Sequence, residues 1–275
     1  MRRDDIGNDV TRIRMMSLGA RLLGFKVDSY LVGNILIDTG FPYVQSPLLA
    51  ALEDRDIRAV CCTHNHEDHT GNCAAIATAH DSPVYLRHPA ALWEEGVGTL
   101  ALYRRLWWGP VEPFEPQEMP DVVEVGGRRL QAVPAPGHSQ TQVSLYEEET
   151  GDVFTGDLFV SPGASAVLVT ENPWAAVASL RRVAALEPQR MLTAHGLIAD
   201  KPAPQLELKA ARIEEAARRS VELTAEGMPP RQIVRRVFPR GGVKDRFFEW
   251  MTSREFSRIN FVLAAVRHAP EGLEA

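Results

Sequence analysis

Between residues 64 and 69 the chain places four side chains able to hold a metal, His64, His66, Asp68 and His69, directly after the apolar run Ala59-Val60-Cys61-Cys62. In a continuing strand, alternate residues point to opposite faces. Such density therefore requires the strand to end in a turn that gathers imidazoles and a carboxylate about one centre. Imidazole nitrogen and carboxylate oxygen suit zinc, and also iron or manganese, whereas a soft-metal site would be built of thiolates. The alternative is a solvent-exposed polar loop, and the rest of the chain argues against it. Leu130-Gln131-Ala132-Val133 leads to Pro136-Gly137-His138, Val153-Phe154-Thr155 to Gly156-Asp157, and Met191-Leu192-Thr193 to Ala194-His195-Gly196. Each apolar run delivers one ligand, and small residues or prolines between them let the backbone turn sharply at a crowded centre. Five of the eight histidines stand at these strand ends. His80, His88 and His268 are left for ordinary polar roles.

The remaining pattern is mixed α/β. Gly33-Asn34 inside KVDSYLVGNILIDT predicts a two-residue hairpin between antiparallel strands. Further short strands are expected at 59–62, 84–86, 122–125, 130–133, 143–146, 153–155 and 191–193. Helical periods occur at 44–52, from His69 to about residue 79, and over 174–186, with Pro173 in the first turn. After Pro202 and Pro204 the β-branched runs stop, and helices are expected at 205–225, 230–237, 244–250 and 254–268. This predicts domains 1–202 and 203–275, the second a helical extension serving as lid, cap or dimer surface. Tyr103, Trp107, Trp108 and Phe114 read as core within an insertion, with a pocket wall as the alternative.

A net charge of −6 argues against a general affinity for nucleic acid. No run approaches the roughly 20 apolar residues of a membrane helix. Neither MRRDDIGNDV nor the apolar MMSLGARLLGF that follows, interrupted by Arg21, reads as a secretory leader. Cys61, Cys62 and Cys73 have no disulfide-framework spacing, so a reducing, cytoplasmic location is expected.

HNHEDH followed by PGH, GD and AHG resembles the H-x-H-x-D-H series of the metallo-β-lactamase superfamily, in order and spacing, over about residues 10 to 200. The resemblance implies an αββα four-layer sandwich with a C-terminal helical extension. It also implies two divalent metal ions, zinc by default and iron or manganese otherwise. One metal would be held by His64, His66 and His138, the other by Asp68, His69 and His195, with Asp157 bridging. Asp38, in Ile37-Asp38-Thr39-Gly40, resembles the family's buried aspartate, and with Thr63 it would orient the ligands; a turn-capping Asp is the alternative.

By the same resemblance a hydroxide shared between the metals would be the nucleophile, and Asp68 would help pass a proton to the leaving group. His66 stands where the redox-active diiron members place glutamate. Asp157 stands where true β-lactamases commonly use cysteine. The expectation is therefore a glyoxalase II-like or lactonase-like hydrolase of a small thioester, ester or lactone. The competitors are a phosphodiesterase or nuclease, a mononuclear iron persulfide dioxygenase, and a non-catalytic metal-containing binding protein. The amphipathic C-terminal helices offer a surface for a homodimer.

Overall fold

The computed structural model describes residues 1–16, 26–92, 102–162, 167–238 and 249–273. These fall into two compact units that interleave along the chain. The first comprises 1–134, 141–160 and 188–201; the second comprises 135–140, 161–187 and 202–275. The change of character at residue 202 coincides with one of the crossings between units, but the second unit also draws on two earlier segments, unlike a simple division at that point.

The first unit carries both sheets. Among the described residues, one sheet runs in sequence order through β1 (Arg2–Asp5), β2 (Val10–Met15), β3 (Val27–Val32), β4 (Ile35–Ile37), β5 (Ala59–Cys61), β6 (Val84–Leu86) and β7 (Gln117–Glu118). The first four strands are antiparallel and β4 to β7 are parallel. The expected hairpin is present, with Val32 paired to Ile35 around Gly33-Asn34. The second sheet runs β13-β12-β11-β10-β9-β8, from β8 (Val122–Val125), β9 (Arg128–Pro134), β10 (Val143–Glu147), β11 (Asp152–Phe154), β12 (Arg190–Leu192) and β13 (Ile198–Asp200). In this sheet β11 and β12 are the parallel pair.

Period-two alternation sorts the two faces of the first sheet. Tyr30, Val32, Ile35, Ile37, Ala59 and Cys61 join Leu130, Val143, Leu145, Phe154 and Leu192 of the other sheet in one core. Tyr30 and Phe154 meet there with ring centroids 5.3 Å apart. Their neighbours Leu31, Leu36, Val60 and Cys62 turn instead to α1 (Gln45–Leu52), α3 (Cys73–His80) and α4 (Leu102–Trp108), where Leu48, Leu52, Ile76 and Trp108 are buried with them. A single-turn α2 (Glu67–Thr70) lies between β5 and α3.

The second unit is helical. Asn172 caps α5 (Pro173–Ala184) by accepting from the backbone of Trp174 and Ala175. Helix α5 packs on α6 (Ala203–Ala225), where Arg181 reaches Glu214 at 2.6 Å. Leu223, Ile233 and Val262 form a small core joining α6, α7 (Pro230–Val237) and α8 (Arg258–Arg267). The helix expected over 254–268 starts only at Arg258, because Ser257 takes an extended conformation and caps Asn260 N, while Ser253 and Arg254 have positive φ. Most of the expected 244–250 helix lies outside the described residues. Among the described residues no helix is long and apolar enough to cross a membrane.

Candidate metal centre

In the first unit the chemistry-bearing residues follow the C-terminal ends of parallel neighbours. Asp38 follows β4 and His64 to His69 follow β5; Asp157 follows β11 and His195 follows β12. Parallel strands send their carboxyl ends to one edge, the usual place for an α/β site. Asp38 takes a left-handed conformation, φ 57°, which Asp tolerates better than most residues. This turn brings its Oδ1 within 2.7 Å of Thr63 N and its Oδ2 within 2.8 Å of His69 Nδ1. Gly156 also has positive φ, and a Cβ on it would stand 2.6 Å from Thr63 Oγ1. Bare backbone is what lets the β11 end approach the β5 end.

These contacts settle which ring nitrogen faces the centre. A carboxylate only accepts, so His69 donates through Nδ1 and directs Nε2 inward. That Nε2 is buried and makes no hydrogen bond, with Asp157 Oδ1 at 3.4 Å and Asp68 Oδ2 at 3.9 Å. Thr63 Oγ1 donates to Asp38 and can accept from His64 Nδ1 at 3.2 Å, leaving His64 Nε2 facing His66 Nδ1 at 3.0 Å. His195 donates Nδ1–H to the Lys26 carbonyl at 2.7 Å, and its Nε2 stands 3.2 Å from Asp157 Oδ2. Ligand-capable atoms of His64, His69 and Asp157 lie within 4.8 Å of one another, as do those of Asp68, His69 and His195. Asp157 therefore presents one oxygen to His69 and the other to His195. His138 belongs to the second unit, where its Nδ1 is 3.2 Å from Glu171 Oε1, and Glu171 also accepts from Leu168 N.

Electrostatics match this crowding. Burial opposes charging of His195, yet Asp157 and then Asp68 hold its pKa up at about 9. Burial likewise works against charge on His69, but Asp38, Asp68 and Asp157 outweigh it and raise the pKa well above the usual histidine value. Asp157 stays well below the usual carboxylate range despite burial, through His195 and His69. Carboxylates this dense hold positive charge, and in the absence of a cation the imidazoles must supply it as protons.

The sequence profile of the metallo-beta-lactamase superfamily matches residues 22–195, well over half of the chain. The chain belongs to the metallo-beta-lactamase superfamily. Its mixed α/β architecture is shared with a metallo-beta-lactamase family protein from Thermus thermophilus, at TM-score 0.66 and 18% identity over 95% of this chain and 93% of that one. TTHA1623, in a di-iron-bound form, aligns at TM-score 0.54 with 30% identity over 68% of this chain and 93% of its own. Among curated relatives, lactamase-like protein ptaB of Pestalotiopsis fici is 31% identical over 62% of this chain and 50% of itself. An atrochrysone carboxyl ACP thioesterase of Emericella nidulans is 32% identical over 52% of this chain and 44% of itself. The chain spans about half the length of the curated relatives it matches.

The donor set of this superfamily member fits a hard or borderline divalent cation. Histidine nitrogens and aspartate oxygens converge, and the His69 Nε2 atom is buried with nothing but this cluster to satisfy it. Three contributors escaped the sequence. Glu171 is an isolated acid whose meeting with His138 depends on how the second unit folds. The Lys26 carbonyl acts as backbone and carries no side-chain signal. Arg104, bound to Glu67 within the motif, lies in a stretch without a periodic pattern.

Proposed function

We propose that this chain is a metal-dependent hydrolase of a carboxylic thioester, ester or lactone, with a small-molecule acyl group as substrate. The observation that carries the reading is Asp157 set between His69 and His195, with Asp68 beside both and His64 and His66 facing each other at 3.0 Å. His64 and His66 would hold one cation together with His138, which is assigned from the order of the motif. Asp68, His69 and His195 would hold the other, and Asp157 would be shared. When bound, two divalent cations supply Lewis acidity toward a water nucleophile and the substrate carbonyl.

The chain's own residues do the rest. Asp38 and Thr63 fix the imidazoles of His69 and His64, so that neither ring must reorganise during a turnover. Asp157 would balance cationic charge, with one oxygen toward His69 and the other toward His195. Asp68, buried beside His69 and His195, would carry the proton from the attacking water to the leaving thiolate or alkoxide. Relatives named as ACP thioesterases favour a thioester over a phosphodiester, and an acidic chain disfavours a long polyanion. Zinc is the proposed occupant. Iron is the competitor, because the 30%-identical TTHA1623 has a di-iron form.

The test is a panel of an acyl thioester, a lactone and bis-nitrophenyl phosphate, assayed with zinc-loaded and iron-loaded protein. Hydrolysis of the thioester or lactone, with an inert phosphodiester, supports the proposal. Phosphodiester cleavage alone, or oxygen consumption with a persulfide, would reassign the activity.

A further inference from the structure

We propose that Arg104 is a positioning residue for the metal centre, holding Glu67 off the cation site and fixing the turn that carries His66 and Asp68; this rests on the metal-site reading above. Glu67 lies between those two residues in the sequence, and its side chain is fully buried. Its carboxylate is nevertheless absent from the convergent groups of ligand atoms. Both oxygens are taken by Arg104, Nε to Oε1 and Nη2 to Oε2, each at 2.6 Å. Two parallel charge-assisted bonds fix direction as well as distance. Without them, a fourth acid beside Asp38, Asp68 and Asp157 could swing toward the cations and drag the α2 turn with it.

The helix that supplies Arg104 is tied to the other ligand-orienting loop too. Trp108 of α4 packs tilted against Phe41, with ring centroids 4.8 Å apart, and Tyr43 donates to the Arg105 carbonyl. Asn72, just after the motif, donates to the carbonyls of Thr39 and Phe41. Helix α4 thus touches both the loop that follows Asp38 and the turn that holds His66 and Asp68. A buried ion pair contributes little net stability relative to an apolar pair of similar size. A purely structural role therefore makes a different prediction from a positioning one, and the two can be separated.

The experiment titrates cobalt(II) into metal-depleted wild type, Arg104→Lys, Arg104→Met and the double variant Glu67→Met/Arg104→Met. It records affinity, the ligand-field spectrum and the melting temperature of the metal-free form. Positioning predicts that Arg104→Met weakens cobalt binding about 10- to 100-fold with an altered spectrum, and that Arg104→Lys recovers part of the loss. In the double variant no acid is left to swing in, so stability should return and the spectrum should move back toward wild type, while affinity stays below it because the turn is no longer fixed. Wild-type affinity and spectrum in Arg104→Met, or full recovery of both in the double variant, would overturn the inference. Failure of the wild type itself to bind cobalt would instead sink the metal-site reading.

Discussion

Asp38 shows how one residue can set several others. Its left-handed backbone and two oxygens fix Thr63 and His69, and through Thr63 the ring of His64. Asp38→Asn keeps the shape but loses the charge that selects the His69 tautomer. It is expected to weaken metal affinity about 10- to 100-fold, measured by competition with a chromogenic chelator, with a smaller change in fold stability. Titration offers a second check. In the metal-free protein His195 has a raised pKa, so its contribution to stability is full below its ordinary value of about 6.5. That contribution is lost as pH rises through about 9. Asp157, whose pKa is lowered, acts in the opposite sense, contributing above its ordinary value of about 4 and failing on acidification. Metal-free protein should therefore melt at lower temperature at pH 9.5 than at pH 6, and metal uptake should release protons. A flat profile of melting temperature would contradict this arrangement of charges.

At the scale of elements, the legible parts of the sequence were those with strong periodicity or ligand chemistry. The β5 end, the Gly33-Asn34 hairpin and α7 stand where pattern places them. β1 escaped because RRDD has no apolar residue; it is an edge strand held by pairing to β2 and by Arg12 to Asp4. α4 escaped because its aromatics, Trp107 and Trp108, are adjacent and fall among Gly and Pro, so no helical stripe shows. His64, His66, Asp68 and His69 stand out because their spacing is local, and His138, Asp157 and His195 because each follows an apolar run, whereas Glu171 and Arg104 act across distances that only folding creates. Two substitutions test the elements. Gly156→Ala would force a Cβ against Thr63 in a strained conformation, and is expected to lower both melting temperature and metal affinity. Phe154→Ala would open a cavity between the sheets and cost about 3–5 kcal/mol by denaturant unfolding. A loss below about 1 kcal/mol would mean that the core is not closed around this ring.

For the whole molecule, we propose that divalent cations complete a cluster of buried acids and imidazoles. A ligand bound only by the folded state stabilises it by about 4 kcal/mol at a thousandfold excess over its dissociation constant. Chelation should therefore lower the melting temperature reversibly, and zinc should restore it. Elemental analysis of the purified chain and of Asp157→Ala, alongside thioester hydrolysis, decides whether cations occupy this cluster. Two metal ions per chain and turnover are expected in the wild type, with reduced metal content and lost turnover in the variant. At most one ion in the wild type, or undiminished hydrolysis by Asp157→Ala, would contradict the proposal.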